Sequence, residues 1–84
     1  MSNLRPARRR TLTGTMAKRA RMILVRRQTA ATRGMTKRQV KHSVPSFSAL
    51  TALIDAGYQQ VVWKAMVGQE PIETLRSIHR RIRP

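Results

Sequence analysis

The sequence predicts an all-α protein: a disordered basic N-terminal arm, a basic helix, a short capped helix and a compact three-helix C-terminal module. Three observations carry the prediction. In the C-terminal half apolar residues recur at helical spacing; Tyr58, Val61, Val62, Ala65 and Met66 fill the i, i+3, i+4, i+7, i+8 template. The run Met35-Thr36-Lys37-Arg38-Gln39-Val40 has the pattern of a capping box inside a hydrophobic staple. Glycine and proline fall between the periodic segments, at Gly34, Pro45, Gly57, Gly68 and Pro71.

Taken in order, residues 1–14 read as a disordered basic arm. Arg8, Arg9 and Arg10 form a charge block, Pro6 interrupts an early helix, and only Leu4 and Leu12 offer apolar anchorage. Gly14 reads as punctuation. A basic helix is expected from Thr15 as N-cap to about Arg33, with Gly34 just past its end. Met16, Ala17, Ala20, Ile23, Leu24 and Ala31 share one side of that helix. Met22 and Val25 fall outside it, and Arg27 interrupts it. A short strand over residues 22–25 is the competing reading, because periodicity alone does not separate the two.

The capping box then starts a short helix from Lys37 to about Ser43. Pro45 ends it by biasing Val44 away from helical angles. Ser46 or Ser48 caps the next helix, which carries Phe47, Leu50, Leu53 and Ile54 and ends near Ala56 with Gly57 closing it. The Tyr58 helix follows and stops at Gly68. A last helix begins at Glu70 or Pro71, with proline suited to the first helical position, and carries Ile72, Leu75, Ile78 and Ile82. Its acids, Glu70 and Glu73, stand at the start, and Arg76, His79, Arg80, Arg81 and Arg83 stand toward the end, complementing the helix dipole. The implied division is an arm over 1–14, a basic helical nucleic-acid-binding segment over 15–45 and a small helical docking module over 46–84. A module of ~38 residues is below the ~40 that fold alone without a staple or partner, so it must recruit the earlier helices or dock on something larger.

Charge bears most directly on function. The 84 residues carry a formal net charge of +15 and a pI near 12.0, an electrostatic footprint of nucleic-acid binding. Residues 46–84 hold Lys64, Arg76, Arg80, Arg81 and Arg83 against Asp55, Glu70 and Glu73, a net of only +2. Residues 1–45 carry the remaining +13 without a single acid. Charge of this density repels itself unless a polyanion is near. Arginine binds phosphate bidentately and stacks on bases, and arginine-rich segments commonly fold on RNA. The phosphate-binding candidates are Arg8, Arg9, Arg10, Lys18, Arg19, Arg21, Arg26, Arg27, Arg33, Lys37, Arg38 and Lys41. RNA is favoured over DNA as the partner. The run Gly14-Thr15-Met16-Ala17-Lys18-Arg19-Ala20-Arg21 resembles the arginine-rich RNA-binding segments of phage antitermination proteins and of ribosomal-protein extensions; the resemblance covers under a quarter of the chain and rests on composition.

Other classes fare less well. Asp55, Glu70, Glu73, His42 and His79 are the whole supply of carboxylate and imidazole groups. Glu70 and Glu73 are accounted for by the helix dipole, and His79 sits among arginines. No enzyme activity, metal, cofactor or small-molecule substrate is expected. The chain has no cysteine, which excludes disulfides and thiolate sites. No apolar run approaches the ~20 residues that span a bilayer, so no membrane partner is expected. A cytoplasmic or nucleoid-associated location fits; the acid-free, Arg- and Thr-rich start also fits a mitochondrial transit peptide. The sequence lacks the interleaved aromatics of a single-strand stacking platform, and Phe47 and Tyr58 read as core.

Two alternatives remain. The segment around Gly57 can be a helix-turn-helix of a DNA-binding regulator from a mobile element, with Gln59, Gln60 and Lys64 as base-reading or phosphate-contacting groups. Its turn looks one residue short, and an ordinary helical hairpin is the preferred reading. Trp63, with Val67 one turn on, is either the lid of a small core or an anchor for protein docking. The second use suits an interaction protein that binds an acidic surface of a host enzyme or polymerase. The leading expectation is a non-enzymatic RNA-binding component of a ribonucleoprotein or transcription complex, held within a larger assembly.

Overall fold

The computed structural model describes the backbone of residues 6–83 and the side chains of residues 12–83. Among the described residues five helices follow one another: α1 (Pro6–Ala31), α2 (Lys37–Ser43), α3 (Phe47–Asp55), α4 (Gln59–Met66) and α5 (Ile72–Ile82). The fold is all-α, with no strand among the described residues. The strand considered over residues 22–25 is helix instead.

At 26 residues, α1 is about 39 Å long at the usual 1.5 Å rise. It starts nine residues before Thr15, which is therefore an interior helical residue and not the N-cap. Pro6 stands at its first position, where the missing N–H removes no helical bond. Of the expected disordered arm, residues 1–5 lie outside the described residues and the backbone of residues 6–14 belongs to α1. Gly14 is thus inside a helix. An added Cβ there would come 3.9 Å from the Phe47 ring, which rests against this point of α1.

One core joins α1 to the C-terminal helices. Ala17, Ala20 and Leu24 are fully buried with Leu50, Leu53, Val62, Ala65 and Leu75, and Val44 and Ile54 complete the cluster. The two alanines let α1 approach its neighbours closely, and Leu24 supplies the bulk. Burying each leucine stabilises the fold by roughly 1.5–3 kcal/mol. α1 packs against α3 and α2 and also against α4, so its buried stripe is wider than one narrow face. This is why Val25, placed off the apolar side, packs on the core. Ala31 is exposed, because α1 meets the end of α4 one turn earlier, at Arg27.

The caps locate the remaining helices. Around Thr36 the capping box is complete: Gln39 N donates to Thr36 Oγ1 at 3.1 Å, and Thr36 N donates to Gln39 Oε1 at 2.9 Å. Of the two candidate caps for α3, Ser46 is used, accepting from Ala49 N at 3.1 Å. α3 ends at Asp55 in a Schellman motif: Gly57 N donates to Ile54 O and Tyr58 N to Leu53 O, with Gly57 at φ +98°. α4 ends the same way at Gly68, φ +85°, with Gln69 N donating to Lys64 O at 2.8 Å. Pro71 is the N-cap of α5, one position earlier in the helix than predicted. Thr74 Oγ1 donates to Glu70 Oε2 at 2.8 Å across that first turn.

Phe47 is not a core residue: it is 47% exposed. Helical side chains point toward the N-terminus, so a residue at the first position of α3 projects past the end of the helix and over α1. Tyr58 is half-buried against the core.

Candidate functional site

The site follows from how α2 and α5 are placed. α2 is held at its N-terminus by the capping box and at its C-terminus by an arginine from α1. Arg21 Nη1 donates to Val44 O at 3.1 Å and to Pro45 O at 2.6 Å, and Nη2 to Lys41 O at 3.4 Å. The carbonyls of Lys41 and Val44 are among those that the α2 C-terminus leaves without helical partners, Pro45 follows directly, and a guanidinium also complements the negative end of the helix dipole. α5 is fixed by Leu75 in the core, with Ile72, Ile78 and Ile82 packed beside it. Its opposite face is left to polar side chains.

Between them lies an open groove of about 810 Å³. Arg21, Lys37, Arg38, Lys41 and His42 line one side; Arg76, His79, Arg80 and Arg83 line the other. Val44, Pro45, Ser46 and Ala49 form the floor region between. No Asp or Glu among the described residues lines it. Glu73 reaches Arg76 at 3.7 Å and Arg80 at 3.4 Å, but all three side chains are well exposed. Ion pairs of that kind are worth at most about 1 kcal/mol and weaken with salt. The groove therefore stays strongly cationic.

Five of the nine Arg, Lys and His side chains in this lining lie outside the set expected from the sequence: His42 and, on the α5 side, Arg76, His79, Arg80 and Arg83. From the sequence alone, Arg76, His79, Arg80 and Arg83 complement the helix dipole within a docking module. Their spacing of i, i+3, i+4, i+7 carried the missing signal, a basic stripe along one face of α5. Arg81 lies off that stripe and does not line the groove.

The other expected site residues separate by environment. Lys37, Arg38 and Lys41 are exposed on α2 and meet in the groove. Lys18, Arg19 and Arg26 are exposed along α1, and Arg33 is exposed in the turn after it. Arg27 is half-buried: its Nη1 donates to Ala65 O, and its guanidinium lies over Gly68 at 3.6–3.7 Å from an added Cβ. The residue that interrupts the apolar face of α1 thus caps the C-terminus of α4. Arg21 and Arg27 hold the fold as well as carrying charge. The side chains of Arg8, Arg9 and Arg10 lie outside the described residues.

On α4, Gln59, Gln60 and Lys64 are exposed, as are Trp63 at 53% and Val67 at 47%. Trp63 is therefore no lid on the core. The connection from α3 to α4 is Ala56, Gly57 and Tyr58, one residue longer than expected because α3 stops at Asp55. That is a normal length for a helix-turn-helix. Gln59, Gln60 and Trp63 border a shallow cavity with Met16 and Gly57, away from the basic groove. Among the described residues no three His, Asp or Glu side chains are grouped to hold a metal ion, and no helix is long and apolar enough to cross a membrane. No family model, curated protein or solved structure matches the chain.

Proposed function

We propose that the chain is a non-enzymatic nucleic-acid-binding protein, an RNA-binding component of a ribonucleoprotein or transcription complex. The carrying observation is the α2–α5 groove, where cations from segments distant in sequence converge with no acid between them. Bringing like charges together costs free energy, and a bound polyanion offsets that cost. Phosphates in the groove are neutralised by Lys37, Arg38, Lys41, Arg76, Arg80 and Arg83, while Lys18, Arg19 and Arg26 extend the same field along α1. RNA is favoured over DNA because arginine supplies both bidentate phosphate contacts and flat surfaces for unpaired bases.

A salt series tests this. With about six phosphates neutralised on a single strand, log K falls against log salt with a slope near −4 between about 50 and 200 mM. Arg80→Ala and Lys41→Ala each flatten the slope by about 0.7. A salt-independent affinity would overturn the proposal.

Two observations on α4 support further readings. The three-residue turn supports a helix-turn-helix that reads DNA through Gln59, Gln60 and Lys64. In that case Gln59→Ala with Gln60→Ala abolishes sequence preference and leaves bulk affinity. Against it, α4 presents one cation, Lys64, among its exposed residues and takes no part in the groove. The exposure of Trp63 and Val67 supports a protein-docking face through which the chain joins a larger assembly. A complex formed there survives nuclease and is lost in Trp63→Ala.

A further inference from the structure

We propose that Phe47 is a stacking platform for one unpaired base of a single strand whose backbone lies in the basic groove, so that the preferred ligand is single-stranded rather than duplex nucleic acid. This rests on the groove being a nucleic-acid site, and it names the class of nucleic acid.

The ring is out of place as a core residue. Leu50, Leu53 and Ile54 of the same helix are buried, whereas Phe47 is 47% exposed at the first position of α3. Its tip nonetheless rests against α1, with 3.9 Å between Phe47 Cζ and a Cβ added at Gly14. With its tip against α1 and about half of the residue exposed, Phe47 leaves aromatic surface on which a base can stack. Gly14, Thr15, Lys18 and Phe47 border a shallow cavity of about 470 Å³, large enough for a planar base.

Charge places this ring on the path of a nucleic-acid strand. Ser46, the residue before Phe47, lines the basic groove, so platform and groove adjoin through the chain itself. On α1, Gly14, Lys18 and Arg21 follow at i, i+4 and i+7 on one face. Arg21 stands in the groove and Gly14 at the ring tip, which puts Lys18 between them. Lys18 is exposed and has no hydrogen bond or ion pair with any described residue. A free ammonium beside a supported aromatic ring matches the phosphate and the base of one nucleotide. A paired base is already stacked within its duplex and cannot reach the ring, whereas a splayed single strand can. The low aromatic content of the chain rules out a row of such platforms, but one needs only one ring.

The test compares a short single-stranded RNA with a duplex of the same length at one salt concentration. Phe47→Ala is expected to weaken single-strand binding by about 5- to 150-fold, the range of one base–aromatic stack, and to leave duplex affinity unchanged. Phe47→Trp retains single-strand binding. In a Trp63→Phe background the same Phe47→Trp ring reports directly, its fluorescence quenched by single strand and not by duplex. Lys18→Ala flattens the salt slope by about 0.7, while Phe47→Ala leaves it as it was. Equal losses on both ligands, no loss on either, or a wild-type preference for duplex would overturn the stacking role while leaving the groove proposal standing. Salt-independent or absent binding by the wild type would overturn both.

Discussion

Arg21 and Arg26 lie five positions apart in one acid-free stretch, and composition treats them alike. Their surroundings do not. Arg21 satisfies the carbonyls of Lys41, Val44 and Pro45 at the end of α2, while Arg26 is exposed. Hydrogen bonds to a charged group contribute about 1.5–3 kcal/mol where partly shielded. Arg21→Met is therefore expected to destabilise the protein by about 1–3 kcal/mol, read as a lower urea midpoint. Arg26→Met should change stability by less than about 0.5 kcal/mol and show itself in a flatter salt dependence of binding. Both substitutions relieve the same unit of self-repulsion, so the difference between them isolates the cap. A run of cations announces phosphate partners, but the partners of Arg21 and Arg27 are backbone carbonyls, which no residue pattern displays. The same limit hid Phe47: its apolar spacing reads as core, and only its place at the very start of α3 takes it out.

At the scale of one element, α2 couples folding to the groove most tightly. Seven residues are too few to hold a helix by propensity; the Thr36 box at one end and Arg21 at the other keep it formed. Thr36→Ala removes the hydroxyl that accepts from Gln39 N and should cost about 1 kcal/mol. Because α2 carries Lys37, Arg38 and Lys41, the same substitution should weaken binding in the groove although no charge is lost, and Thr36→Ser should restore it. Unchanged affinity in a Thr36→Ala protein with a lowered denaturation midpoint would mean that the α2 cations bind independently of their helix. α1 is anchored differently. Leu24 is its one large, fully buried side chain among the described residues, and Leu24→Ala should cost about 2–5 kcal/mol in a denaturant titration. The capping box and the apolar rows of α3, α4 and α5 were legible because local physics writes them within a few residues. The start of α1 was not, since Pro6 reads as a breaker until the first helical position is known. The basic face of α5 was written plainly in the spacing of Arg76, His79, Arg80 and Arg83. What it faces depends on where α2 is packed.

For the molecule as a whole, charge and packing pull in opposite directions. A single core, closed only when α1 covers α3 and α4, must hold together a chain of net charge +15. Its described residues contain few attractive ion pairs to set against that charge; those from Glu73 to Arg76 and Arg80 are exposed. Unfolding spreads the same charges over a much larger volume, so repulsion favours the unfolded chain. Added salt shortens the Debye length from about 30 Å at 10 mM to about 8 Å at 150 mM and screens repulsion that acts across the whole molecule. Stability in urea is therefore expected to rise with sodium chloride over that range, the reverse of a protein held by surface ion pairs. A short single-stranded RNA should do the same at low salt by binding the folded state, and its effect should shrink as salt rises, because its affinity falls along the slope set by the neutralised phosphates. The curves with and without RNA must therefore converge as salt rises. A urea midpoint that falls with added sodium chloride would mean that attraction outweighs repulsion in the folded chain. The groove would then have lost the electrostatic reason to seek a polyanion.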